Sequence, residues 1–166
     1  PEDGSLVACL DDPGAAQLLD YAENKGQHWL SYSLEHPAAD YYAAKLEPQQ
    51  GAGYRFDVLR NGVIVAQVRL LVPGKHNVLN ALAALAAADL LNLELDQAAQ
   101  ALGEFIGAGR RYEEFPEVGG VLVIDDYGHH PTEIKATLQG TRVRYPGRRV
   151  WAVWQPHTYS RTLGWL

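Results

Sequence analysis

The sequence predicts an α/β fold: a parallel sheet with an antiparallel hairpin and helices over residues 1–108, then the first βαβ part of a second α/β unit over residues 109–166. Three observations predict it. Strand-like and helix-like runs alternate from Ser5 to Leu34. An Asn61-Gly62 dipeptide separates two strand-like runs, and a second strand–loop–helix–strand run fills residues 121–154.

Each element has a local reason. Ser5–Leu10 is a short apolar run, ended by Asp11-Asp12-Pro13. Asp12 followed by Pro13 is a helix start, a carboxylate cap and then proline at the first helical position. Ala15, Leu18, Leu19 and Ala22 mark one face of that helix, and Gly26 closes it. His28–Leu34, rich in Trp and Tyr, is the next strand, and Tyr41–Leu46 is another. Tyr54–Arg60 and Val63–Val72 form a hairpin, because Asn-Gly supplies the positive φ pair of a type I′ turn. Arg55 and Asp57 alternate with Phe56 and Val58, so one hairpin face is expected to be wet. A long helix is expected over Asn77–Leu93, apolar nearly all round and buried on several sides. A second follows over Leu95–Phe105.

Gly107-Ala108-Gly109 is a hinge-like linker, and a domain boundary is expected at about residue 108. Arg110–Phe115 is then a strand, Val118-Gly119-Gly120 a turn, and Val121–Ile124 a short buried strand. Pro131–Tyr145 is a helix with Glu133 in its first turn, and Val150–Trp154 is the closing strand of the βαβ unit.

Composition narrows the class. Of 166 residues, 47% are hydrophobic and 20% charged, enough apolar content for a packed core and too much for a disordered chain. A single cysteine, Cys9, excludes an internal disulfide and a multi-cysteine zinc site. No apolar run reaches the ~18 residues a membrane span needs. Residues 1–109 carry 14 Asp and Glu against 6 Lys and Arg, whereas residues 110–166 carry 6 against 8. An acidic front of this kind is not a nucleic-acid surface. The chain holds no Met and opens Pro1-Glu2-Asp3-Gly4, so it is expected to be a piece of a longer protein.

Four strings carry possible chemistry. Asp125-Asp126-Tyr127-Gly128-His129-His130-Pro131 crowds a strand-to-helix loop, where open α/β sheets place ligands. A nucleotide or substrate loop, a capped structural loop, and a metal site are all open there. Adjacent His129 and His130 point apart, which weakens the metal reading. Gln155–Thr162 follows the neighbouring strand. His157 and Arg161 in it suit an anionic substrate, since the guanidinium fork grips both oxygens of a carboxylate, or they are surface residues. Lys75–Asn80 sits at a helix start. Asn77 and Asn80 share a face, and an amide that donates and accepts matches an adenine edge, although Asn77 also suits a simple N-cap. Arg110-Arg111-Tyr112-Glu113 lies beside the linker, where a guanidinium either reaches a phosphate held by another domain or forms an ordinary surface pair. There is no G-x-x-x-x-G-K-[ST] and no G-x-G-x-x-G, so a nucleotide site here lacks its own triphosphate cradle.

Together these strings resemble the Mur ligase family: Gly74-Lys75-His76-Asn77-Val78-Leu79-Asn80-Ala81-Leu82-Ala83-Ala84, Arg110-Arg111-Tyr112-Glu113, Asp125 to Glu133, and Gln155 to Thr162, in the family's order. The resemblance is strong over about residues 70–166 and weak over 1–69. It implies a cytoplasmic, ATP-dependent ligase of peptidoglycan synthesis with UDP-N-acetylmuramate and L-alanine as substrates. Residues 1–108 would be the second half of its central ATP-binding domain. Residues 109–166 would be the start of its Rossmann-like, amino-acid-binding C-terminal domain. It further implies that Asn77 and Asn80 contact adenine, Arg111 the ATP phosphates, and Asp126 the ribose or its neighbourhood. Tyr127, His129, His157 and Arg161 would lie near the amino acid. ATP and Mg2+ are the implied cofactors, with the phosphate loop and metal ligands upstream, so that the piece alone is inactive. The chain departs from the family at Thr158, where Arg is usual. The rivals are the related tripeptide-recycling Mur ligase, a non-catalytic nucleotide-binding module, and a His/Asp metal hydrolase.

Overall fold

The computed structural model describes residues 4–50, 53–155, 160 and 163–164, and among them the chain forms seven strands and four helices. Strand β1 (Ser5–Cys9), helix α1 (Pro13–Asn24) and strand β2 (His28–Ser33) make the first βαβ unit. Asp12 caps α1, its carboxylate accepting the Ala15 N–H at 2.8 Å, with Pro13 at the first helical position. Leu19 and Ala22 are buried, while Leu18 is 52% exposed, so the apolar face is narrower than its spacing predicts.

Strand β3 (Tyr41–Pro48) runs parallel to β2 after a connection of only residues 34–40. Parallel neighbours ordinarily need about a dozen residues to cross over. Here the strands overlap only at Tyr32↔Tyr41 and Ser33↔Tyr42, so the chain has little distance to retrace. Two carboxylates pin this crossover. Asp40 accepts the Ser31 N–H at 2.8 Å and its hydroxyl at 2.7 Å. Asp11 accepts the Ser33 hydroxyl and the Leu34 N–H.

Strands β4 (Tyr54–Arg60) and β5 (Val63–Arg69) complete the sheet antiparallel, in the order β1-β2-β3-β4-β5. Their turn has Asn61 at φ 49° and Gly62 at φ 79°, as expected of Asn-Gly. The expectation of a wet face fails at Asp57, which is 5% exposed. A bulge between Ala44 and Glu47, with Lys45 at φ 52°, brings the Lys45 ammonium to 2.8 Å from the Asp57 carboxylate. Gln67 donates to the same carboxylate at 2.7 Å.

Helix α2 (Lys75–Leu90) lies against β1 to β4 and touches α3 (Leu95–Glu104), which packs on β5. Val78, Leu82 and Leu85 are fully buried, each contributing about 1.5–3 kcal/mol, and they join Tyr41, Phe56 and Val58 in one core. Ala84 and Ala87 are exposed, so α2 buries one broad face rather than all sides. It also starts at Lys75, two residues before the position its sequence suggests, because Gly74 takes the cap at φ 95°.

The rest of the chain departs further from expectation. Arg110 and Tyr112 have φ of 57° and 53°, so 110–112 is a turn. The expected strand shrinks to β6 (Glu113–Glu114), which pairs antiparallel with β7 (Ile124–Asp125). Helix α4 spans Pro131–Arg144. Residues 150–154 pair with no other strand among the described residues. Trp151 and Val153 are 76% and 97% exposed, so the apolar run has no neighbouring strand to satisfy it. No helix among the described residues is long and apolar enough to cross a membrane.

Candidate functional site

Asn77 and Asn80 sit on the first two turns of α2. Asn77 Nδ2 donates to the Pro73 carbonyl at 2.7 Å, and Asn80 Nδ2 donates to Asn77 Oδ1 at 3.2 Å. Asn77 is therefore not the helix cap. It anchors the incoming turn and orients Asn80, whose exposed amide keeps an acceptor oxygen and a second N–H for a ligand.

The linker and the β7–α4 loop form a second cluster. Both oxygens of Asp126 accept backbone amides, Tyr112 N–H at 3.0 Å and Gly128 N–H at 2.6 Å. Tyr127 N–H donates to the Arg110 carbonyl at 2.8 Å. The Tyr127 ring then lies under two guanidinium groups, Arg110 at 5.3 Å and Arg111 at 5.7 Å, with the His129 ring edge-on at 5.7 Å. Arg111, Asp126, Tyr127 and His129 thus come together although the linker and the loop are separated in sequence.

Sequence reasoning missed what shapes the loop. His130 is the α4 cap, its Nδ1 accepting the Thr132 N–H at 3.2 Å, and Glu133 returns by accepting the His129 and His130 N–H groups at 3.1 and 3.2 Å. Burial raises the Glu133 carboxyl, but those two N–H groups outweigh it and hold the group below its ordinary value. The signal was Glu133 three residues after His130.

His76 was also missed as a connecting residue. Its ring folds back over Gly74, where a Cβ would come within 2.5 Å of it. Burial pushes its pKa below the ordinary 6.5, against Asp126 and Glu133, whose charges pull it up. His76, in the first turn of α2, is thus within reach of the charges of the loop cluster. Asp126, Tyr127 and His129, with Arg110, Trp151 and Trp154, also line an open cleft of about 960 Å3. Asn77, Asn80 and Arg111 are outside its lining. His157, Thr158 and Arg161 lie outside the described residues.

Known proteins are similar to this chain in sequence and fold. Residues 1–88 match the Mur ligase middle domain, and residues 110–162 match the Mur ligase, glutamate ligase domain. The UDP-N-acetylmuramate--L-alanine ligase of Pelotomaculum thermopropionicum is 46% identical over 165 residues, 98% of this chain and 34% of that protein. The enzyme of the same name from Acidothermus cellulolyticus is 43% identical over 162 residues, again 98% of this chain and 34% of that protein. The crystal structure of MurF from Acinetobacter baumannii superposes with a TM-score of 0.74 at 26% identity, covering 86% of this chain and 30% of that one. The chain spans about a third of the length of the curated relatives it matches. With both of its parts matched to that family and the fold shared, the chain belongs to the Mur ligases.

Proposed function

We propose that the whole protein, of which this chain is one stretch, joins L-alanine to UDP-N-acetylmuramate at the expense of ATP, in the cytoplasm, for peptidoglycan synthesis. The observation that carries this reading is the match over 98% of the chain to ligases of that name. The clustering of Arg111 with Tyr127 and His129 at one strand-to-helix loop supports it. We place the boundary between the central and C-terminal domains at about residue 108.

In this reading a muramoyl carboxylate oxygen attacks the γ-phosphorus of ATP and ADP leaves. The alanine amine then attacks the acyl carbon, and phosphate leaves as the amide forms. Asn80, held by Asn77, meets the adenine edge with its amide. Arg111 reaches the phosphates and neutralises charge there. Asp126 lies beside the ribose, and Tyr127 and His129 face the amino acid, joined by His157 and Arg161 from the following segment. Magnesium is the family's metal. Among the described residues no group of three or more His, Cys, Asp or Glu side chains could hold a metal ion, and no step is assigned to magnesium here.

The test is phosphate release by the full-length protein. Release should require ATP, L-alanine and UDP-N-acetylmuramate together. Release that ignores L-alanine would overturn the reading.

A further inference from the structure

One oxygen of Glu133 holds two successive peptides of the β7–α4 loop. Its Oε2 accepts the His129 N–H at 3.1 Å and the His130 N–H at 3.2 Å. A capping box needs only the second of these, the N–H of the cap residue itself. The bond to the His129 N–H is therefore additional to the capping of α4. The two histidines gripped in this way send their rings to different places. The His130 ring turns onto α4 and accepts the Thr132 N–H. The His129 ring lines the cleft, edge-on to Tyr127 at 5.7 Å, with its Nδ1 3.3 Å from the Tyr127 carbonyl. The same Glu133 oxygen lies 3.9 Å from that Nδ1. Gly128 seats the loop on this side chain, since a Cβ there would stand 3.4 Å from the Glu133 Cβ.

We infer that Glu133 is a positioning residue for His129: by binding the N–H groups before and after the His129 Cα, its carboxylate sets the imidazole beside Tyr127 in the cleft. The inference rests on the reading of Tyr127 and His129 as the amino-acid face and goes beyond it, because Glu133 acts on the loop backbone and not on a substrate. A carboxylate suits the task, since one oxygen accepts both N–H groups and its charge strengthens both bonds. A Gln there keeps an acceptor oxygen and loses the charge. An Ala loses both.

The experiment is a double-mutant cycle on the full-length protein, with amide hydrogen exchange beside it. Glu133→Ala should raise the L-alanine Michaelis constant about tenfold and leave those for ATP and UDP-N-acetylmuramate within about twofold. Glu133→Gln should recover most of that loss. His129→Ala should raise the alanine constant at least as far as Glu133→Ala. The double variant should fall within about twofold of His129→Ala alone, since a side chain already removed cannot be misplaced. In the wild type the His129 amide should exchange slowly, and Glu133→Ala should speed it. Three Michaelis constants rising together in Glu133→Ala would make Glu133 a helix cap only and overturn the inference. Losses that multiply in the double variant would overturn it too, as would a Glu133→Gln no better than Glu133→Ala. A fast-exchanging His129 amide in the wild type does the same and needs no variant to fold. If His129→Ala leaves alanine kinetics intact, the amino-acid reading of His129 fails and the inference with it. Failure of the inference alone leaves His129→Ala impaired.

Discussion

Gly140 of α4 packs directly on Gly74 at the start of α2: a Cβ added to Gly140 would lie 3.4 Å from both the Gly74 Cα and its amide nitrogen. Two residues without side chains let the later part of the chain seat on the turn that carries His76 and Asn77. Gly74 has no room to change, since its φ is 95° and the His76 ring fills the space beside it. Gly74→Ala should therefore destabilise the protein by about 1–3 kcal/mol. Gly140→Ala adds a Cβ at a tight but tolerable distance and gains up to about 1 kcal/mol of helix propensity. Thermal melts should show a clear loss for the first and little change or a gain for the second.

His76 makes stability depend on pH. Its folded pKa lies below the ordinary 6.5 because burial disfavours the imidazolium. The unfolded chain therefore binds more protons as pH falls below about 6.5, and stability drops through that window until the folded form also protonates. Comparing melting temperatures between pH 5 and 8, His76→Gln should show a shallower fall than the wild type. Parallel curves would remove His76 as the cause.

Arg144 ties three places together. Its Nε lies 2.7 Å from Glu114 Oε1, its Nη2 donates to Glu114 Oε2 at 3.2 Å, and its Nη1 donates to the Leu71 carbonyl at 3.1 Å. Both side chains are largely shielded, at 16% and 26% exposure. Arg144→Ala should cost about 1.5–3 kcal/mol, because Glu114 keeps a shielded charge without its partner. Arg144→Lys should recover only part, as an ammonium cannot reproduce the planar fork. Denaturant unfolding measures both.

Asn80→Ala removes the amide assigned to adenine while leaving the Asn77–Pro73 anchor intact. In the full-length protein it should raise the ATP Michaelis constant roughly 5- to 150-fold, for about 1–3 kcal/mol of lost binding. The constants for the other two substrates should stay put. A lower melting temperature with an unchanged ATP constant would make Asn80 a structural residue.

What the sequence made legible was local. The Asp12-Pro13 cap and the Asn61-Gly62 turn need only neighbouring residues, and both form as expected. The loop strings containing Asp126, Tyr127 and His129 stood out for the same reason. Distant partners decided the rest. Asp57 reads as a wet-face residue until a bulge in β3 delivers Lys45 to it. Arg110–Tyr112 reads as strand until Asp126 holds it as a turn. Residues 150–154 read as strand on composition, but a strand needs a neighbour. His76 reads as part of a helix start, and only the fold shows Asp126 and Glu133 acting on it.

The most direct test of the ligase reading is the identity of the product. Full-length protein would be supplied with ATP, magnesium and UDP-N-acetylmuramate, and with L-alanine and the stem tripeptide at equal concentration. Mass spectrometry should find the nucleotide sugar carrying one alanyl residue, with ADP formed in equal amount. Tripeptide addition in its place, or ADP without any new amide, would contradict the account.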